Sequence, residues 1–261
     1  MSSEIFILRI ILSFLVCGAY VTSMSRLSER LGSKLGGLLI GLPSTALMGL
    51  LFIAWVQGSA AALEASSVMP ATISASMMFL VAFSLLFRYG LVLAYFGAVA
   101  VWFALNLPLV GLKVHDIFIS LMVAAVLSII SISFFHHQPH RKLTSVKGGR
   151  LTLLIRATFA GGFVALAVAC SKLFGPLWGG MFASFPAVFS AVVLIFGRAH
   201  GEEFTASMSK TMVQGALVNI IFVTCAHLFL GSYGAIVSIL LGYATCLIFA
   251  IFSYRYIIPK I

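Results

Sequence analysis

The chain has 261 residues, 62% hydrophobic and 8% charged, with a mean hydropathy of +1.16. Soluble domains carry about 25% charged residues, so six acidic and 16 basic side chains cannot cover a water-facing surface of this size, and lipid must be the main solvent. The net charge of +10 would point to nucleic acid in a soluble protein; here it reads as cationic loops on the cytoplasmic face, and no nucleic-acid partner is expected.

A helix needs about 20 mostly apolar residues to cross the hydrocarbon core. In chain order the candidates are 5–24, 36–56, 68–87, 90–110, 117–135, 151–173, 177–197, 208–230 and 235–254, nine in all. The first is apolar enough for a secretory signal, but the chain continues through 25–34 without a convincing cleavage site, so it reads as a first transmembrane helix. The third and fourth are separated only by Phe87-Arg88-Tyr89-Gly90, a tight turn. After the fifth, 136–150 is a polar connection. Its histidines His136, His137 and His140 sit among Arg141 and Lys142 and read as a solvated basic loop near anionic lipid rather than a metal cluster. Cys17, Cys170, Cys225 and Cys246 all lie in or at the ends of apolar segments and read as small buried side chains. No metal and no cofactor is expected.

Short cytoplasmic loops are enriched in Lys and Arg. With the N-terminus outside, nine crossings place 13 basic residues on the inner side and leave Arg9, Lys113 and Lys172 outside. An even number of crossings would break this pattern.

The chain also contains a repeat. Gly36-Gly37, five residues and Pro43 open the second span; Gly179-Gly180, five residues and Pro186 open the seventh. Fifteen residues after each proline comes a glycine, Gly58 or Gly201. Upstream, Arg9 precedes Ser25-Arg26-Leu27 much as Arg156 precedes Ser171-Lys172-Leu173. The two copies start five crossings apart, an odd number, so the second is inverted. The expected organisation is a first repeat over 1–112, a linker helix and basic loop over 113–150, and a second, inverted repeat over 151–261. The fold class is an all-α integral membrane protein.

Inverted repeats with Gly/Pro-interrupted helices in corresponding positions are the sequence pointer to a transporter's binding site. Proline removes a backbone donor and clashes with the preceding turn. A helix broken there presents free N–H groups and the positive end of its dipole. Ser44 and Thr45 follow the first proline; Ser184 precedes the second and Ser190 lies one turn after it. With Gly36, Gly37, Pro43, Gly179, Gly180, Pro186 and the mid-span Asn219, these are the candidate substrate-binding residues. The alternative is that the glycines only allow close helix packing and the prolines only kink. Arg9, Arg156, His227, Asn106 and Gln214 are candidates for a pathway or for proton coupling, because polar groups in a span usually face the protein interior. Arg9 and Arg156 could each line one mouth of the pathway, or merely snorkel.

No Asp or Glu lies inside a predicted span, which disfavours a proton-driven antiporter of small cations. Paired arginines and two half-helix N-termini favour an anionic or zwitterionic substrate. No H-E-x-x-H, G-x-S-x-G or carboxylate cluster is present, so the chain is not expected to be an enzyme. A secondary transporter of a small anionic, zwitterionic or amphipathic metabolite is the leading expectation. A channel or a non-transport assembly protein is the alternative, and an intramembrane lipid-modifying enzyme a weaker one. Expected partners are membrane lipid, the small-molecule substrate and, as a candidate, a second copy of the chain.

The segment from Leu35 through Gly36, Gly37 and Pro43 to Leu51 resembles a widespread bacterial family of small four-helix membrane proteins of unknown function, which carry a similar Gly-Gly, small residue, Leu-Pro segment in their second helix. The resemblance covers roughly 5–110, and 151–254 looks like a divergent copy. It implies this architecture in a bacterial inner membrane, and no substrate. The four-plus-one-plus-four plan is also similar to the drug/metabolite transporter superfamily, whose usual form has a tenth helix that this chain lacks.

Overall fold

A computed structural model describes the backbone of residues 3–40, 42–137 and 149–256, and the side chains within them except at 28–40, 196, 199–206 and 253–256. Gly36 and Gly37, Gly201 and the loop residues 138–148 therefore lie outside the residues described in full. The elements are α1 (Ser3–Ile40), α2 (Thr45–Gln57), α3 (Ser59–Leu86), α4 (Leu91–Gly111), α5 (Ile117–His136), α6 (Arg150–Phe174), α7 (Pro176–Ala183) and α8 (Ala187–Tyr256). No strand occurs among the described residues. Seven helical stretches there are long and apolar enough to cross a membrane, and the shorter Thr45–Gln57 is apolar too. The chain is an all-helical, multi-pass membrane protein.

Several elements fold back on themselves. Ser207–Phe252 has 46 residues, and at about 1.5 Å per residue it would outrun a ~30 Å hydrocarbon core twice over. In a straight helix Gly242 would lie ~30 Å from Phe222. Instead, a Cβ placed on Gly242 would lie 2.8 Å from the Phe222 carbonyl oxygen and 3.1 Å from the Ala226 nitrogen. The reversal is at Gly234, whose φ of 72° only glycine adopts freely. A second reversal falls between Ile195 and Ser207, because Val192 packs on Met208 and Met212. A third falls between Leu27 and Leu42: the Arg9 guanidinium meets the Trp55 carbonyl, while Val21 and Met24 share a cavity with Leu42 and Ser44. The turn at 87–90 is a short 3₁₀ segment, Phe87–Tyr89, closed by Gly90 at φ 108°.

The helix pairs run in defined directions. Gly18 lies against the Ala157 carbonyl, and Gly161 against that of Phe14, so α1 and α6 are antiparallel. Gly49 lies against Ala183 and Gly179 against Ile53, so α2 and α7 are antiparallel as well. Small residues let these backbones approach closely.

At the centre stands α3, which contacts α2, α4, α5, α7 and α8. In its apolar stretch 67% of residues are buried, against 22% in α4. Its sequence explains this. The helix is built of Ala, Ser and Met with no charged stripe, and a helix apolar all round belongs in an interior. Pro70 interrupts its backbone ladder, and neighbouring hydroxyls repair the damage. Ser120 on α5 accepts from the Ala71 N–H at 3.0 Å, while Thr72 and Ser74 donate to the Met69 and Ala71 carbonyls. In a water-free interior such partners are obligatory.

Candidate functional site

Both prolines stand where helix stops. On the second copy, α7 ends at Ala183, residues 184–186 are non-helical and α8 starts at Ala187. On the first, residues 42–44 are non-helical and α2 starts at Thr45. The chain is broken at both motifs, beyond a simple kink. The contacts of Gly49 with Ala183 and of Gly179 with Ile53 set the antiparallel register, which carries Ser44 to the level of Val188. The two breaks thus lie at one depth.

A cavity opens between them. It is lined by Leu42, Ser44, Thr45 and Ala46, by Ser184, Phe185, Pro186, Ala187, Val188 and Phe189, by Ile73 and Ser76 of α3, and by Ala216 and Asn219 of α8. The first turns of α2 and α8 therefore both face it. Such turns carry N–H groups without intrahelical partners and about half a positive charge. The Ser44 hydroxyl does not cap its own helix. The Asn219 amide donates to the Gly215 carbonyl at 2.8 Å. None of the lining residues is acidic. The cavity measures about 50 Å³, room for a few waters, whereas small-molecule pockets span about 300–1,000 Å³. The cavity as it stands is too small to hold a metabolite.

The break is held by packing and by one hydroxyl. Phe185 stacks on Phe163 at 3.6 Å and meets Trp102 edge-on at 4.9 Å. Ser76 donates to the Ser184 carbonyl at 3.1 Å and accepts from the Trp102 indole at 3.2 Å. Ser184 in turn donates to the Gly180 carbonyl at 2.9 Å, closing the end of α7. The Ser184 carbonyl, left without a helical partner by the break, is satisfied from α3, as a dry interior requires.

Of the sequence candidates, Ser44, Thr45, Ser184, Pro186 and Asn219 line the cavity. Pro43 is buried within the first break. Gly179 and Gly180 do not line it: Gly179 packs on Ser171 and Ile53, and Gly180 on the Ala65 backbone and Val68. Their smallness serves the approach of α7 to α6, α2 and α3. Ser190, fully buried, and the half-buried Gln214 lie outside the lining. So does Asn106, which is fully buried and donates to the Trp102 carbonyl at 2.7 Å. His227 meets the Ser66 hydroxyl at 2.8 Å.

Arg156 is 8% exposed and lines a smaller neighbouring cavity with Tyr20, Val21, Met24 and Ser25. Leu42, Ser44 and Val188 line both cavities and form the partition between them. Arg9 lies at the other end of α1, against Trp55. Sequence reasoning missed Ile73, Ser76, Trp102 and Phe185. The signal available was the run of Ser, Thr and Ala in 59–76, a composition suited to a central helix.

Residues 153–258 match the model of a family described as Protein of unknown function (DUF3147). No curated protein and no solved structure matches the chain. The matched stretch takes in nearly all of α6 and the whole of α7, so it includes the second break and its Phe163–Phe185 anchor. It does not reach α2, and one wall of the cavity is contributed from outside it.

Proposed function

We propose that the chain is an alternating-access secondary transporter of a small anionic, zwitterionic or amphipathic metabolite, in a bacterial inner membrane, with its substrate site between the breaks at Pro43 and Pro186. One observation carries the reading: the first turns of two antiparallel broken helices face a single cavity that has hydroxyls and an amide but no carboxylate. Two convergent N-termini form an anion-binding environment, and discontinuous helices that meet within a bundle are the recurring architecture of transporter sites. The antiparallel pairs α1 with α6 and α2 with α7 support an inverted repeat, since an axis in the membrane plane relates helices in that way. The family match over 153–258 begins and ends close to the proposed second repeat. Counting Ser207–Phe252 twice for its reversal at Gly234, and adding the span that contains Thr45–Gln57, takes the seven apolar stretches to nine crossings. The basic residues then set the N-terminus outside.

On this reading the partition of Leu42, Ser44 and Val188 separates the site from the cavity of Arg156 towards the inner face, and opening requires the halves to part there. Counterflow of labelled metabolites into liposomes that hold the purified protein tests the proposal. Replacing Pro43 and Pro186 singly by Ala should impair uptake more than expression, and full activity in the double variant would sink the idea. The cavity of about 50 Å³ favours one second reading, a channel for a small anion. A channel would show flux without saturation and without counterflow.

A further inference from the structure

A second, larger groove lies apart from the central cavity, where α2 ends and the α8 hairpin turns. Its walls are Leu51, Phe52, Ala54 and Trp55 on α2, Ser59 at the start of α3, and residues 233–237 around Gly234. It measures about 590 Å³, within the size range of small-molecule sites. The Ser59 hydroxyl accepts from the Ala235 N–H at 3.2 Å, so the turn is pinned to α3 and packed backbone forms the walls. Two amphipathic aromatics border it, Trp55 and Tyr233, 48% and 61% exposed. Such residues mark the level of lipid headgroups.

Beside this border stands Arg9. Its guanidinium carbon lies 4.7 Å from the centre of the Trp55 ring, and one N–H donates to the Trp55 carbonyl at 2.9 Å. A guanidinium has five N–H donors. Among the described residues no carboxylate pairs with it and the Trp55 carbonyl is its one hydrogen-bond acceptor. An apolar groove with a fixed cation at its aromatic edge complements an amphiphile that carries an anionic head. The exposed Ile236 and Val237 continue the groove onto the lipid-facing surface, so the occupant can enter sideways from the bilayer.

We propose that this groove binds a phospholipid of net negative charge, with the phosphate on Arg9 and Tyr233 and an acyl chain along Phe52, Ala54 and Ile236. A zwitterionic lipid offers the same phosphate but brings an ammonium that Arg9 repels, so net charge decides between them. The proposal is independent of what the central cavity transports.

The test is quenching of tryptophan fluorescence in the full-length protein in nanodiscs, using lipids brominated on their acyl chains. Trp55 lines the groove, Trp102 is fully buried, and the partly exposed Trp178 is replaced by Phe in every protein assayed, so that quenching reads Trp55. Brominated phosphatidylglycerol should quench at about fivefold lower mole fraction than brominated phosphatidylcholine, the factor expected for one basic residue near the headgroup plane. Arg9→Gln should erase that preference and leave quenching by phosphatidylcholine unchanged. Ala54→Phe, which fills the groove, should weaken quenching by both lipids. Equal quenching by the two lipids with Arg9 in place, or a preference that survives Arg9→Gln, overturns the proposal. Native mass spectrometry after extraction from an equimolar mixture reads the same preference without a variant: phosphatidylglycerol adducts should dominate, and equal retention overturns it.

Discussion

Gly180→Ala offers the sharpest test of how the broken helix is held against the centre of the bundle. A Cβ built on Gly180 would fall on the Ala65 carbonyl oxygen, with the Ala65 carbonyl carbon at 2.9 Å and Val68 Cγ1 at 3.1 Å. An ordinary carbon-to-carbonyl-oxygen contact is about 3.3–3.6 Å, so α7 and α3 must separate by roughly 1 Å. Both obstructing groups are backbone or β-branched side chain, and neither can rotate aside. Overpacking of this kind costs about 1–3 kcal/mol, while alanine regains up to about 1 kcal/mol of helix propensity. The net expectation is a loss of about 1–2 kcal/mol. Gly162→Ala on α6 is the control: it too sits inside a helix, and nothing lies within 4 Å of its Cβ position, so only the propensity gain applies. Thermal unfolding in detergent, both variants at one scan rate because such unfolding is often irreversible, should lower the Tm of Gly180→Ala by roughly 2–8 °C. Gly162→Ala should hold or raise it. If the two variants unfold together, α7 does not approach α3 as closely as described and the reasoning fails.

Ser76→Ala should strand the Trp102 indole N–H and the Ser184 carbonyl together, at about 1–3 kcal/mol for each buried group left unpaired; chemical denaturation of the purified protein reads the loss, and Ser76→Thr should recover most of it. Gly234→Ala meets nothing closer than the Ser59 hydroxyl at 4.0 Å, so its cost is purely that of holding alanine at φ 72°, about 1–2 kcal/mol. Gly234→Asn should cost less, and equal midpoints for the alanine and asparagine variants would count against a left-handed residue there.

The environment of the chain was legible from composition, because 8% charged residues cannot face water over 261 positions. The positions of the breaks were legible too. Proline at Pro43 and Pro186 removes a donor whatever surrounds it, but Pro70 and Pro108 do the same inside continuous helices, so the sequence marked the positions and the structure decided between a break and a kink. What lay beyond the sequence was contact. Gly179 and Gly180 look alike as part of a motif, yet only the packed structure shows them serving α6, α2 and α3 rather than the cavity. Asn219 and Gln214 are both polar residues on one helix. Which of them reaches the cavity depends on the rotation of α8 against α2 and α7, which no local propensity encodes.

By itself, then, the sequence determined that this is a helical membrane protein, roughly where its apolar segments begin and end, and at which two prolines a helix could break or kink, because these follow from solvation and from backbone chemistry within a few residues. The tertiary structure alone decided that the two stops lie at one depth, that α3 supplies Ser76 to satisfy the freed Ser184 carbonyl, and that Arg9 and Arg156 end up beside separate cavities. Those facts depend on the register between helices far apart in the chain, fixed by where small residues such as Gly49, Gly161 and Gly180 let one backbone touch another.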